Sequence, residues 1–164
     1  MNMYRNIILP LVLLILAFPS NGQDMTIKKM DKILKTVADS VTGEGGIWQF
    51  KYNESSMIIL TDEKYNRMRI ISPIIGLEML DKPELIRVLE ANYHSALDVK
   101  YALTDEVLWS VYIHPLKELS ENQFINAISQ VHKAAVTFGS SYSSTSLLFG
   151  VQDLGKKSNP SKKN

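Results

Sequence analysis

Three short segments between Ile47 and Ser72 alternate in a way that suits a sheet and little else. "IWQFKY" sets Trp48, Phe50 and Tyr52 against Ile47, Gln49 and Lys51, and "RMRIIS" sets Arg67 and Arg69 against Met68 and Ile70. Successive side chains of a strand point to opposite faces, so each segment predicts a strand with one buried face. Between them "MIILT" is apolar throughout, as a central strand is. The polar runs "NESS" and "DEKYN" read as turns. Pro73 is expected to end the ladder, because it has no amide hydrogen to donate.

Three helices are predicted around these strands. In "MTIKKMDKILKTVADSV", Ile27, Met30, Leu34, Val37 and Val41 recur at steps of three and four, which marks one face of an amphipathic helix. Gly43 is placed to stop it in the left-handed conformation, and "GEGG" reads as a flexible connector. After "PIIGLEML", an apolar connector lying on the core, "DKPELIRVLEANYH" starts with Asp81 and Glu84 as a capping-box-like pair and Pro83 in the first turn. Leu85, Leu89 and Tyr93 are its expected buried stripe. "LDVKYAL" and "VLWSVYIH" flank "TDE" as a hairpin. In the second of these strands Val107, Trp109, Val111 and Ile113 share one face. Leu108, Ser110, Tyr112 and His114 share the other, more polar one. The last helix has the clearest start. Ser120 and Gln123 form a capping box, and Leu119 staples onto Phe124. Phe124, Ala127, Ile128, Val131, Ala135 and Phe138 form its core stripe, and Gly139 stops it. "SSYSSTS" is polar and of low complexity, and the apolar "LLFG" after it reads as a segment that docks back on the body. The order is α-βββ-α-ββ-α, an α+β fold with three helices on a five-stranded antiparallel sheet.

The N-terminus points to export. Arg5 precedes the wholly apolar run Ile7 to Phe18, and small residues Ser20 and Gly22 follow. This is the pattern of a secretory signal peptide, cleaved after Gly22 to leave a chain beginning at Gln23. The apolar run is shorter than the roughly 20 residues that a spanning helix needs, and no cysteine follows it to take a lipid. The expected organisation is a signal peptide at 1–22, one domain at 23–150 and a disordered basic tail at 151–164. Without Arg5 the 18 Lys and Arg become 17, which equals the 17 Asp and Glu. Lys156, Lys157, Lys162 and Lys163 lie in the tail, so the body is mildly acidic and carries no basic stripe for nucleic acid. The absence of cysteine excludes disulfides, thiol catalysis and thiolate metal sites, leaving an exported chain held by its core alone.

No constellation for chemistry emerges. His94, His114 and His132 have no partner at metal spacing and read as structural. Asp62–Glu63 and Asp105–Glu106 fall in hairpin turns, where such residues are favoured for local hydrogen bonding. "NES" at Asn53 matches a glycosylation acceptor but is explained by a turn. There is no G-x-S-x-G, and "GEGG" is neither a P-loop nor a dinucleotide fingerprint. The sequence therefore yields no catalytic, cofactor-binding or metal residue. The aromatic residues Trp48, Phe50, Tyr52, Trp109 and Tyr112 remain as a candidate binding surface, because an exposed apolar patch marks an interaction site.

With "RIISPI" and the run "EANYHSALDVKYALTDEVLWSVYIHPLKELSENQFINAISQV", the chain resembles the YbjN-like family, described as bacterial sensory-transduction regulators. The matching residues are Asn92, Tyr101-Ala102-Leu103, Pro115-Leu116, Leu119 and Gln123-Phe124, within a stretch from Met25 to Phe138. The resemblance implies helices packed on an antiparallel sheet, a fold like that of type III secretion chaperones, frequent dimerisation and no catalytic residues. The expected function is a non-enzymatic, exported protein- or peptide-binding domain, periplasmic or secreted, which self-associates and needs no cofactor. A periplasmic binder of a small apolar ligand under "PIIGLEML" is the alternative. A hydrolase or metal enzyme using His114 with Tyr112 ranks last.

Overall fold

The computed structural model describes residues 25–147. The expected signal peptide, the end of "LLFG" and the basic tail lie outside them. The elements are α1 (Ile27–Val37), β1 (Ser40–Glu44), β2 (Ile47–Tyr52), β3 (Ser55–Asp62), β4 (Arg67–Gly76), a 3-10 turn (Leu77–Met79), α2 (Lys82–His94), β5 (Lys100–Thr104), β6 (Val107–His114) and α3 (Glu121–Val136). The sheet is antiparallel throughout, with strand order β1-β2-β3-β4-β6-β5.

The sheet has six strands rather than the expected five. The first helix ends at Val37, where Ala38 turns extended and donates its N–H to Leu34 O. Asp39 N–H then bonds Lys51 O at 2.8 Å, and the segment read as helix end plus loop becomes β1. Val41 lies four residues beyond Val37, which suits a helical stripe. It equally suits the inner face of a strand, where it opposes Phe50. The glycines form a turn, not a flexible connector. Glu44 pairs with Ile47, and Gly45 and Gly46 between them have φ of +66° and +94°. Positive φ at both central residues is the two-residue turn whose twist matches the flanking strands. Asn53–Glu54 and Asp105–Glu106 close their hairpins in the same way, with φ between 46° and 68°.

Pro73 does not end its strand. β4 runs through it to Gly76, and the register shifts between Pro73 and Ile75. Proline is tolerated at such a bulge because its missing N–H falls where the ladder is already broken. Part of "PIIGLEML" is thus strand and the rest a 3-10 turn. In α2, Val88 and Ala91 are buried, not the expected stripe. Leu89 and Tyr93 are 68% and 79% exposed. In α3 the capping box is present, with Ser120 Oγ accepting from Gln123 N–H and Gln123 Oε1 from Ser120 N–H. Its buried stripe includes Ala134 where Ala135 was expected. The polar stretch after Gly139 is docked. Ser95 Oγ donates to Tyr142 O, Ser144 Oγ to Ala96 O at 2.7 Å, and Tyr142, Ser143 and Ser144 are buried.

The core lies on one side of the sheet. Trp48, Phe50, Met57, Ile59, Met68, Ile70, Leu108 and Tyr112 point inward to Met30, Ile33 and Leu34 of α1 and Phe124, Ile128 and Val131 of α3. The more polar face of β6 is therefore the buried one. Its fully buried hydroxyl is paired: Ser110 Oγ donates to Val131 O at 3.0 Å, locking β6 to α3. Tyr101 OH similarly donates to Ala134 O at 2.8 Å, and burial pushes the phenol up to about 12. Trp48 Nε1 donates to Asp31 Oδ1 at 3.2 Å.

Candidate functional site: the open face of the sheet

All three helices lie against the inner face or an edge, so the opposite face has no cover among the described residues. Register fixes its composition. Thr42, Gln49, Ile58, Ile71, Val111 and Lys100 form one row straight across all six strands. Glu44, Ile47, Leu60, Arg69 and Ile113 form the next, and Pro73, Trp109 and Ala102 lie in a third on the other side. Ile58, Ile71, Trp109 and Val111 are half-buried. Ile47 and Ile113 are 57% and 55% exposed. An uncovered antiparallel face ordinarily alternates to polar residues. Here β3, β4 and β6 present isoleucine, leucine, valine and tryptophan in adjacent positions, which makes a contiguous apolar block.

Two clefts open on this face. One, of about 330 Å³, is lined by residues including Thr42, Gln49, Lys51, Ile58 and Pro73. The other, of about 410 Å³, lies between Leu60 and Ile113 beside Arg67 and Arg69. Arg67 donates to Asn66 O at 3.0 Å, whereas the Arg69 guanidinium has no hydrogen-bonding or ionic partner among the described residues. Asp62, opposite Arg67 in the register, is engaged by the N–H of Tyr65 at 3.0 Å. Lys100 bends away from the face to the carbonyls of Asn92 and Leu97 at the end of α2.

The five aromatic candidates do not form one surface. Trp48, Phe50 and Tyr112 are buried in the core, and Tyr52 lies half-buried on the same inner side against His132. Trp109 alone faces outward, and its indole N–H is buried with no acceptor among the described residues. The aliphatic members of the block, Ile47, Ile58, Leu60, Ile71, Val111 and Ile113, escaped the sequence reading because aromatic content was taken as the signal. Their signal in the sequence is the second apolar face of "MIILT" and the wholly apolar Val107–Trp109–Val111–Ile113 face of "VLWSVYIH", which fit a buried strand equally well.

The histidines are scattered. His114 stacks on Tyr112 with ring centroids 6.0 Å apart, and its Nδ1 contacts Pro115 O at 2.7 Å. His94 packs edge-on against Tyr93. His132 Nδ1 meets Ser55 Oγ at 2.8 Å, and burial holds its imidazole below the ordinary value. Among the described residues no carboxylate hydrogen-bonds to this ring, and catalytic dyads are built with such a third group. Among the described residues no cluster of three or more metal-ligating side chains occurs, and no helix is long and apolar enough to cross a membrane. Of "PIIGLEML", under which a small apolar ligand was expected to lie, Pro73 lines the cleft of about 330 Å³ on the open face. A search of family models matches none to this chain, and no curated protein matches it.

Proposed function

We propose that this chain is a non-enzymatic, exported domain that binds a protein or peptide through the open face of its sheet. The observation that carries the reading is the apolar block of Ile58, Leu60, Ile71, Trp109, Val111 and Ile113, which no element among the described residues covers. Six strands about 4.8 Å apart and about 17 Å long give a footprint on the order of 500 Å². Counted on both partners, about 1,000 Å² meets the lower bound for a specific interface. The fold also supports a binding role through its division of labour. Among the described residues the helices pack on one side of the sheet, which leaves the other for a partner without unfolding. Export rests on the pattern at Arg5 to Gly22, and N-terminal sequencing of the secreted or periplasmic protein should return Gln23 first. The kinship proposed with the YbjN-like family is supported by helices on one side of an antiparallel sheet and by the structural part that Asn92, Tyr101, Leu116, Leu119 and Phe124 play in it.

A photo-reactive residue at Ile58, introduced into the full chain in its host, tests the binding reading. Adducts with another polypeptide are expected from Ile58 and not from the exposed helix position Lys28. No adduct at Ile58, or equal adducts at both, overturns it. Sedimentation of the purified chain tests the self-association that the resemblance implies.

A further inference from the structure

The outward-facing charges indicate what kind of partner the sheet accepts. Arg69 stands inside the apolar block, between Leu60 and Ile113 in its row, and Arg67 follows on the same strand face. Lys51 adds a third cation beside the other cleft. Of the nearby carboxylates, Asp62 accepts from the Tyr65 N–H and lines the same cleft as the two arginines, Glu44 sits at the far hairpin, and Asp39 and Glu54 lie beside Lys51, so the excess positive charge is at Arg67 and Arg69. The cleft at Leu60 and Ile113 therefore has an apolar floor and a rim where two guanidiniums meet one carboxylate, Asp62, and neither arginine is ion-paired within 4.0 Å among the described residues.

Resting on the binding reading above, we infer that the occupant is an amphipathic partner segment whose apolar side covers Ile58, Ile71 and Val111 and whose carboxylates pair with Arg67 and Arg69. Guanidinium and carboxylate pair through two parallel hydrogen bonds, and they do so most strongly where apolar neighbours exclude water. A basic segment would set like charges together over the same apolar floor. A second copy of this chain would bring the same excess of cations against itself. An acidic amphipathic segment satisfies both the apolar surface and the unpaired charge, and no other class of polypeptide does both.

Two labelled synthetic peptides with an identical leucine stripe, one flanked by glutamates and one by lysines, test this against the full chain at low salt. Binding is read by anisotropy and by the emission of Trp109. The glutamate peptide is expected to bind about tenfold or more tighter, with the preference weakening as salt screens it. Arg67→Gln with Arg69→Gln should remove the preference and leave residual binding of both peptides. Ile113→Asp should remove binding of both. Circular dichroism confirms that each variant remains folded. If both peptides bind equally and Ile113→Asp still abolishes binding, the acidic partner is wrong and the docking face stands. If neither binds, or Ile113→Asp changes nothing, both fail. If the chain is a dimer that Ile113→Asp makes monomeric, the occupant is a second copy and the inference is overturned.

Discussion

Asn92 shows how one side chain can finish a sheet. Its carboxamide accepts from the N–H of Tyr101 at 2.7 Å and donates to the carbonyl of Tyr101 at 3.1 Å, taking the place of a peptide group in a seventh strand. Tyr101 lies on β5, an edge, and unpaired edge groups invite pairing with another chain. Asn92→Ala leaves both backbone groups without partners, so it should destabilise by about 1–3 kcal/mol. Urea unfolding should show this as a lower midpoint at an unchanged slope. His132 makes a second prediction. Burial lowers its folded-state value below the ordinary 6.5, so the unfolded chain takes up the proton first as pH falls. Stability is unaffected by this group above that pH and declines below it. The thermal midpoint should therefore drop between pH 7 and pH 5, and His132→Gln should flatten that drop.

The hairpin from β1 to β2 is the element on which the strand count turns. Gly45 has open space around its α-carbon and a φ that asparagine tolerates, whereas a side chain at Gly46 would strike the Thr61 hydroxyl. Gly45→Asn should consequently leave the melting temperature nearly unchanged, and Gly46→Asn should lower it clearly. Equal effects would mean that the turn is not built as described. The contrast also explains what could be read in advance. α3 was legible because its signals are local: Ser120 and Gln123 cap each other, and Phe124 to Val131 repeat within single turns. β1 was not, since Val37 to Val41 fits either period and only pairing with β2 decides between them. The exposed stripe of α2 was misread for a related reason. Apolar residues wrap more than half of that helix, and sequence spacing cannot say which part the edge strand covers. Likewise nothing in "SSYSSTS" announces burial. Ser143 and Ser144 are buried there because Thr137 and Ala96 supply hydrogen-bonding partners from distant elements, as Ser95 does for the carbonyl of Tyr142.

At the scale of the whole molecule the sheet divides the described residues into a side packed with helices and a side that none of them covers. Alternation shows which residues share a face, but β3 is apolar on both faces and β6 buries its more polar face, so their sidedness is decided only by α3 lying on Ser110 and Tyr101. Adjacent isoleucines on β4 give the sharpest test of that division. Ile70 is fully buried against the helices, and Ile71, its immediate neighbour, opposes Ile58 and Val111 on the open face. Ile70→Ala removes buried methyl groups and leaves a cavity, which should cost about 2–5 kcal/mol. Ile71→Thr keeps the branched shape that strands favour, and at this half-buried position it should cost only about 1 kcal/mol. The two substitutions should thus separate cleanly in urea unfolding of the isolated chain. They should reverse in binding, with Ile71→Thr weakening capture of a partner that Ile70→Ala, while folded, still engages. If Ile71→Thr destabilises the isolated chain as much as Ile70→Ala, the outer face is covered by the chain itself and is no docking surface.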